Sequence, residues 1–289
     1  MGNNSKEVII STVKISNPEK IVFKNLGITK KDVALYYQKI AVRMLPFLKN
    51  RIISTIRCPD GVDSTCFYKK HLEKNLKGMG MINLPRKSDG KEDFYYIKDI
   101  SGIISEVQMN AIEFHPWGSK LPTLEKPDIM VFDLDPDEGM DLGQVRNGVR
   151  DLKSLLDELN LKSFLKTSGS KGYHVVLPFS SSTSWDKFSA FAKNIALLME
   201  QKWPNLYTTN IRKINRKGKI FVDWIRNTRS ATSVAPYSLR TKNIAVSMPI
   251  NWSELDKISP NNITMSDAIK RLKRKDPWED FFKVKQEIK

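Results

Sequence analysis

The chain has 289 residues, 48 Lys plus Arg against 32 Asp plus Glu, and a formal net charge of +16. Hydrophobic residues make up 40%, enough for a sizeable core, which excludes a disordered polycation. No apolar run approaches the ~20 residues of a membrane span, which excludes an integral membrane protein.

The opening residues, MGNNSKEVII, lack the apolar stretch of a signal peptide, and Lys6 stands where a myristoylation site needs Ser or Thr. Two cysteines, Cys58 and Cys66, argue against a disulfide framework and point to a reducing interior. The expectation is a basic, intracellular globular protein, and nucleic acid is the first partner such a charge excess brings to mind.

Val8 to Ile15 reads as a strand. Thr29 then caps a helix, with Asp32 three residues on as in a capping box. Val33, Tyr36, Tyr37, Ile40, Ala41 and Met44 repeat at helical spacing. Ile52 to Arg57 reads as a strand and Pro59-Asp60-Gly61 as its turn. The polar stretch 84–93 joins two strands, since Phe94-Tyr95-Tyr96-Ile97 follows. Residues 119–128, with two prolines, read as a linker. The domain expectation is therefore an N-terminal α/β unit over 1–128 and a second unit over 129–289 with a C-terminal helical segment. The terminal run KRLKRKDPWEDFFKVK reads as a solvated, basic helix end.

The second unit is more regular. Ile129 to Leu134 is an apolar strand, and 142–159 is a helix capped by Asp141. Ser163 to Thr167 and Tyr173 to Leu177 are strands joined by the turn SGSKG. Trp185 to Gln201 is a helix capped by Ser184, and Lys219 to Trp224 a strand. The order β-α-β-β-α-β is a split βαβ, as in RNA-recognition-motif sheets, so the expected class is α+β. In that topology the first strand lies between the third and the fourth.

Asp133 and Asp135, two apart in VFDLDP, share one strand face. Asp223 in IFVDWI would face them from the fourth strand. Three carboxylates on one sheet face repel one another unless a cation neutralises them, which makes them candidate ligands for Mg²⁺ or Mn²⁺. Ser168, Gly169, Ser170, Lys171 and Gly172 form a small cationic turn suited to phosphate, though not with Walker A spacing, and His174 follows it. Lys87-Ser88-Asp89-Gly90 spells the adenylated-lysine motif of DNA ligases, but its wholly polar surroundings read as an ordinary charged hairpin. Cys58, Cys66 and His71 lack the spacing and the fourth ligand of a zinc site.

FDLDP, KTSGSKGYHVVLP and IFVDWIRN, in that order, resemble the archaeo-eukaryotic primase superfamily. With SNPEKIVFKNLGITKKD, RCPDGVDSTCFYKKH, EFHPWGS and SVAPYSLR, the chain is more closely similar to the polymerase domain of ligase D of non-homologous end joining and its free-standing archaeal relatives, over roughly residues 8 to 280. The resemblance implies template-dependent nucleotidyl transfer onto DNA 3′ ends at gaps and breaks, with two divalent ions, Mn²⁺ or Mg²⁺, and a preference for ribonucleotides and for Mn²⁺. It implies that Asp133, Asp135 and Asp223 are the metal ligands and catalytic centre. Ser168, Lys171 and His174 would handle the incoming nucleoside triphosphate, with His115 and Arg240 on its phosphates. Asn17, Lys20 and Lys30 would take a downstream 5′-phosphate. Phe67 and Tyr68 would stack on the template, and Arg216 would lie in the loop that positions the primer end. The stretch around 87–90 would be a surface loop that contacts DNA. The partners it implies are DNA with a 5′-phosphorylated gap or 3′ overhang, a DNA ligase and a Ku-type end-binding protein, in the prokaryotic cytoplasm on the nucleoid. The alternatives are a replicative-type primase, which has less reason to carry the phosphate pocket, and a non-catalytic end-bridging module, which has no need of the three carboxylates.

Overall fold

A computed structural model describes residues 7–71, 75–85, 90–242 and 244–288. Residues 86–89, and with them most of the ligase-like tetrapeptide, lie outside the described residues. The chain forms two units. The first runs to Pro116 and takes in Val234–Ala245 and Thr264–Lys273; the second holds Trp117–Ser233, Val246–Ile263 and the remainder. The sequence reading cuts the chain once, at 128. In the structure two later segments return to the first unit, because its core groups need them. Ala235 N–H donates to the Phe114 carbonyl, the Tyr36 hydroxyl donates to the Tyr237 carbonyl, and Leu239 N–H donates to the Tyr37 hydroxyl. Such pairings join positions some 120 to 200 residues apart, and no local pattern announces them.

The first unit begins with β1 (Val8–Ile10) and β2 (Val13–Ile15), an antiparallel hairpin where a single strand is expected. Ser11 and Thr12 both take left-handed φ, 45° and 67°, the geometry of a two-residue hairpin turn. Neither Ser nor Thr is the usual residue there, so the turn is silent in the sequence. β3 (Ile21–Phe23) pairs with β4 (Ile28–Thr29), which leads into α1 (Lys30–Leu48). The capping box forms as expected: Asp32 N–H donates to the Thr29 hydroxyl, and Thr29 N–H to the Asp32 carboxylate. The predicted apolar stripe of α1 is buried. Then come β5 (Ile53–Arg57), β6 (Phe67–Lys69), the hairpin of β7 (Met79–Pro85) and β8 (Lys91–Ile97), α2 (Ile100–Gln108) and β9 (Ala111–Pro116). β5 is the centre of a three-stranded sheet ordered β6-β5-β9. Helix α2 and strand β9 are not foreseen in the sequence.

The cysteine expectation is corrected. Cys58 and Cys66 form a disulfide, with Cα atoms 4.4 Å apart. Arg57 pairs with Phe67 across β5 and β6, so the two cysteines are the next residues on each side. Their separation is that of a close cross-strand pair, and the loop between them brings them together whatever the spacing suggests. His71 is engaged elsewhere, with Nε2 3.2 Å from the Glu92 carboxylate and Nδ1 2.8 Å from the Asp93 carbonyl.

The second unit is built on β10 (Ile129–Pro136), α3 (Leu142–Glu158), β11 (Phe164–Thr167), β12 (Tyr173–Pro178), α4 (Trp185–Lys202), β13 (Tyr207–Thr208), β14 (Ile220–Asp223) and β15 (Pro249–Ile250). Its sheet runs β13-β14-β10-β12-β11-β15. The four inner strands are the expected split βαβ, with the first strand between the third and the fourth, all antiparallel. The fold is α+β with a sheet of RNA-recognition-motif topology. Leu134 packs toward Gly148 of α3, so Asp133 and Asp135, its neighbours on the strand, project from the opposite face. Two segments read as peripheral are packed into this unit. The stretch 119–128 receives the Trp185 indole N–H on the Leu124 carbonyl, 2.9 Å. In the terminal run, Trp278 and Phe281 are buried and stacked, with centroids 4.9 Å apart, and the Trp278 indole donates to the Leu165 carbonyl. Aromatic anchors outweigh the surrounding lysines, so this run is not merely solvated. Among the described residues, no helix is long and apolar enough to cross a membrane.

Reducing the Cys58–Cys66 bridge, which closes a sequence separation of 8, is expected to lower stability by roughly 2–3 kcal/mol through the entropy of the unfolded chain. Urea midpoints with and without a dithiol reductant, with Cys58→Ser/Cys66→Ser as the reductant-insensitive control, check this.

Candidate active site

Strand register sets the acidic site. Asp133 on β10 lies directly opposite Asp223 on β14, with Asp135 two residues further along β10. On its other side Asp133 is opposite His174 of β12, which is in turn opposite Lys166 of β11. One row across four strands therefore reads Lys166, His174, Asp133, Asp223. His174 Nε2 lies 3.6 Å from Asp133 Oδ1. Lys166 is buried and donates to the Ser247 hydroxyl, 2.6 Å.

Two arginines balance the carboxylates. Arg226, three residues after Asp223, donates through Nε to Asp223 Oδ2 at 3.0 Å, and its Nη2 is 3.9 Å from Asp133 Oδ2. Arg216 Nη1 donates to Asp135 Oδ2 at 3.3 Å, and its guanidinium lies 3.6 Å over the Phe221 ring. Desolvation pushes the Asp133 carboxyl up, Arg226 pulls it down, and Asp223 and Asp135 push it up again, to about 6. Among the described residues no three His, Cys, Asp or Glu side chains form a ready-made chelating group. The reason is visible in the pairing: Asp135 is turned to Arg216 and Asp223 to Arg226. The donor chemistry still suits a hard divalent cation, since carboxylate oxygens are what Mg²⁺ and Mn²⁺ take.

The SGSKG turn lies against this strand. Gly169 has φ +68°, and a Cβ on Gly172 would stand 3.0 Å from the Leu134 carbonyl oxygen, so both glycines are needed. The Ser168 hydroxyl accepts from the N–H groups of Ser170 and Gly172, at 3.0 and 3.2 Å, which leaves its own O–H as a donor. Lys171 is exposed. A groove of about 370 Å³ opens here, lined by Asp137, Met140, Ser170, Lys171 and Asn261 among others.

The remaining candidates fall in the first unit. Lys20 and Lys30 are brought together by the β3–β4 pairing, with Lys30 N–H donating to the Lys20 carbonyl at 2.8 Å. Lys20 Nζ donates to the Pro59 carbonyl and lies 3.5 Å from Asp60. Lys30 opens α1; burial, Lys20 and Arg57 together lower its pKa from 10.5 to about 8. Asn17 is exposed in the preceding turn, with φ 50°. Phe67 and Tyr68 are both exposed on edge strand β6. As strand neighbours they point to opposite faces; Arg57 lies over the Phe67 ring and the Tyr68 ring lies 5.4 Å from that of His115. His115 is buried on β9, with Nε2 3.0 Å from Glu113 Oε2, and Arg240 Nη1 is 3.3 Å from the same oxygen.

Four residues escape the sequence reading: Glu113, Lys166, Arg226 and Arg57. Glu113 carries a faint signal, since E-x-H on a strand puts both side chains on one face. Arg226 likewise follows Asp223 at i+3. The other two acquire their setting only from strand pairing.

The second unit thus presents a split-βαβ sheet with carboxylates facing across its central strands, beside a small cationic turn, the architecture that the sequence likens to primase-polymerases. The chain matches the family described as LigD, primase-polymerase domain, over residues 29–278, and it belongs to that family. It is 34% identical over 282 residues to the multifunctional non-homologous end joining protein LigD of Pseudomonas aeruginosa, covering 96% of this chain and 34% of that protein. The corresponding protein of Mycobacterium tuberculosis is 32% identical over 283 residues, 95% of this chain and 37% of that one. The chain thus spans little more than a third of the length of these relatives. Among solved structures, the polymerase domain of Mycobacterium tuberculosis ligase D in complex with DNA superimposes with a TM-score of 0.87 at 31% identity, covering 94% of this chain and 98% of that one.

The acidic row generates a stability prediction. With a folded pKa of about 6 against an ordinary 3.8, protonated Asp133 contributes stability that is fully present below about pH 4 and lost as pH rises through 6. Asp133→Asn, in chelator-treated buffer, is expected to raise stability at pH 8 by on the order of 2 kcal/mol and to change it little at pH 4. Denaturant midpoints at the two pH values check both the sign and its pH dependence.

Proposed function

We propose that the protein is a template-dependent nucleotidyltransferase that adds nucleotides, ribonucleotides by preference, to DNA 3′ ends at gaps and breaks during non-homologous end joining. The observation that carries this reading is the register that sets Asp133 opposite Asp223 with Asp135 on the same face. Membership of the LigD primase-polymerase family supports it, as does the likeness to a polymerase domain solved in complex with DNA.

In this reading Asp133, Asp135 and Asp223 would hold two divalent ions, Mg²⁺ or Mn²⁺, which would supply charge neutralisation to the phosphoryl transfer. The chain's own residues do the rest. A primer 3′-hydroxyl attacks the α-phosphate and pyrophosphate leaves. Lys171, His174, His115 and Arg240 bind and orient the triphosphate by charge and hydrogen bonds. The Ser168 O–H reads the ribose 2′-hydroxyl, and a site built to pair a hydroxyl discriminates against its absence. Arg226 and Arg216 hold the carboxylates in place by ion pairing between turnovers, and Arg216 adds the primer-end contact. Lys20, Lys30 and Asn17 take the 5′-phosphate of the downstream strand at the start of α1, where the two lysines and the helix dipole favour an anion. Phe67 and Tyr68 offer ring faces to template bases. A DNA ligase and a Ku-type end-binding protein are the partners such a role requires, on DNA in the prokaryotic cytoplasm.

Primer extension on a gapped duplex with a 5′-phosphate, with each metal and both sugar types, tests the reading. Asp223→Ala is expected to lose at least tenfold in extension while gapped DNA still binds. Ribonucleotides should be added faster than deoxynucleotides, and Ser168→Ala should narrow the gap; equal wild-type rates would remove the sugar preference.

The phosphate pocket has a distinctive pH signature. Because Lys30 loses its proton near pH 8 in the folded protein, a bound phosphate dianion must draw that proton back above this pH. The preference for a 5′-phosphate over a 5′-hydroxyl is therefore expected to weaken as pH rises through about 8, and to vanish in Lys20→Ala/Lys30→Ala with a shallower salt dependence of binding. Titrations at fixed salt between pH 7 and 9 measure both.

A further inference from the structure

Glu113 is 2% exposed and sits among donors only. Its Oε1 accepts from the backbone N–H and the hydroxyl of Thr241, both at 2.8 Å. Its Oε2 takes His115 Nε2 at 3.0 Å and faces Arg240 Nη1 at 3.3 Å. Burial on its own raises a carboxyl pKa, but the contacts with His115, Arg240 and Thr241 overcome it and hold Glu113 down at about 2. An ionised carboxylate has no proton to give, so Nε2 of His115 must be the donor. Glu113 thereby sets the tautomer of His115 and, through the same oxygen, the position of the Arg240 guanidinium.

We propose that Glu113 is a positioning residue for nucleotide phosphate recognition, holding His115 as the Nε2–H form and Arg240 in place through one carboxylate oxygen. This rests on the reading that His115 and Arg240 contact the triphosphate. A buried carboxylate is a poor device for stability alone, since apolar replacements of buried ion pairs are often neutral or stabilising. What it supplies here is two cationic or polar groups, one from a strand and one from a returning segment, fixed in one geometry before an anion arrives. Preorganisation of that kind strengthens binding by removing the cost of ordering long side chains.

The amide variant discriminates sharply. In Glu113→Gln the amide oxygen must stay on the Thr241 side, because a backbone N–H only donates. The NH₂ group then faces His115 and Arg240. Arg240 cannot accept from it and is released, and His115 can accept only by moving its proton to Nδ1.

The chain has three histidines, which makes ring ¹⁵N spectra assignable. The wild type is expected to show His115 as the Nε2–H form, and Glu113→Gln to convert it to Nδ1–H. In gap filling, Glu113→Gln is expected to raise the nucleotide KM about tenfold with kcat within about twofold, the pattern of lost ground-state binding, while affinity for gapped DNA holds; the melting temperature falls, because the depressed pKa makes the ionised carboxylate stabilising at neutral pH. Glu113→Asp, which keeps the charge, should retain the Nε2–H signature. An Nδ1–H His115 in the wild type overturns the proposal without any variant, which covers the case in which Glu113→Gln fails to fold. So does a Glu113→Gln protein with wild-type KM. If the wild type adds no nucleotide at all, the polymerase reading fails, while the ring spectra still decide whether Glu113 sets the tautomer.

Discussion

Everything in the second unit answers to one constraint: two carboxylates stand directly opposite each other on adjacent antiparallel strands, and a third lies two residues away. Like charges in that relation are destabilising, and the more so where water is displaced. A protein carrying +16 overall has cations to spare, and it places two of them here. Arg226 reaches Asp223 and Asp133 from the turn just after β14, while Arg216 reaches Asp135 from the preceding basic loop. Burial is the largest cause of the raised pKa of Asp133; Arg226 opposes it, and Asp223 and Asp135 add to it. A site that holds excess negative charge at a cost to folding is what a divalent cation finds favourable, because the repulsion is relieved when the ion binds.

The apolar half of the sheet makes this possible. Leu134, between the two aspartates, packs on α3 where Gly148 leaves room, and Val131 and Phe132 continue the buried strand. A one-residue slip of β10 would send both carboxylates into that core, so burial itself enforces the register that aligns Asp133 with Asp223. The SGSKG turn is pinned by the same strand, since Gly172 comes within backbone contact of Leu134. Packing on one face thus fixes chemistry on the other.

The first unit shows the same logic with the signs exchanged. Its buried carboxylates, Glu106 and Glu113, are each matched: Glu106 to Lys69 and the Thr55 hydroxyl, and Glu113 to His115, Arg240 and Thr241. Lys30, by contrast, is crowded by other cations and buried, so its charge is held weakly. A lysine in that condition gains when an anion enters, as the acidic row gains from a cation. Glu106 and Glu113 are thus paired, whereas burial weighs against the charge of Lys30 and of Asp133.

How much of this was legible in the chain follows from the range of the forces involved. Period and capping are local, so the α1 capping box of Thr29 and Asp32, the apolar stripe from Val33 to Met44, and the split-βαβ order could be read directly. The i, i+2 geometry of a strand put Asp133 and Asp135 on one face, and topology then brought Asp223 to them. Less was visible wherever the deciding partner is distant. The β1–β2 hairpin turns on Ser11 and Thr12, residues that do not advertise left-handed φ. The Cys58–Cys66 bridge depends on the pairing of Arg57 with Phe67, and Glu113 acquires its role from Thr241 and Arg240, more than a hundred residues on. By itself the sequence determined the periodicities, the caps and the residue types that chemistry requires. Only the tertiary structure decided which charges face one another, because that depends on strand register and on returning segments whose contacts are stabilised by burial and not by anything encoded nearby.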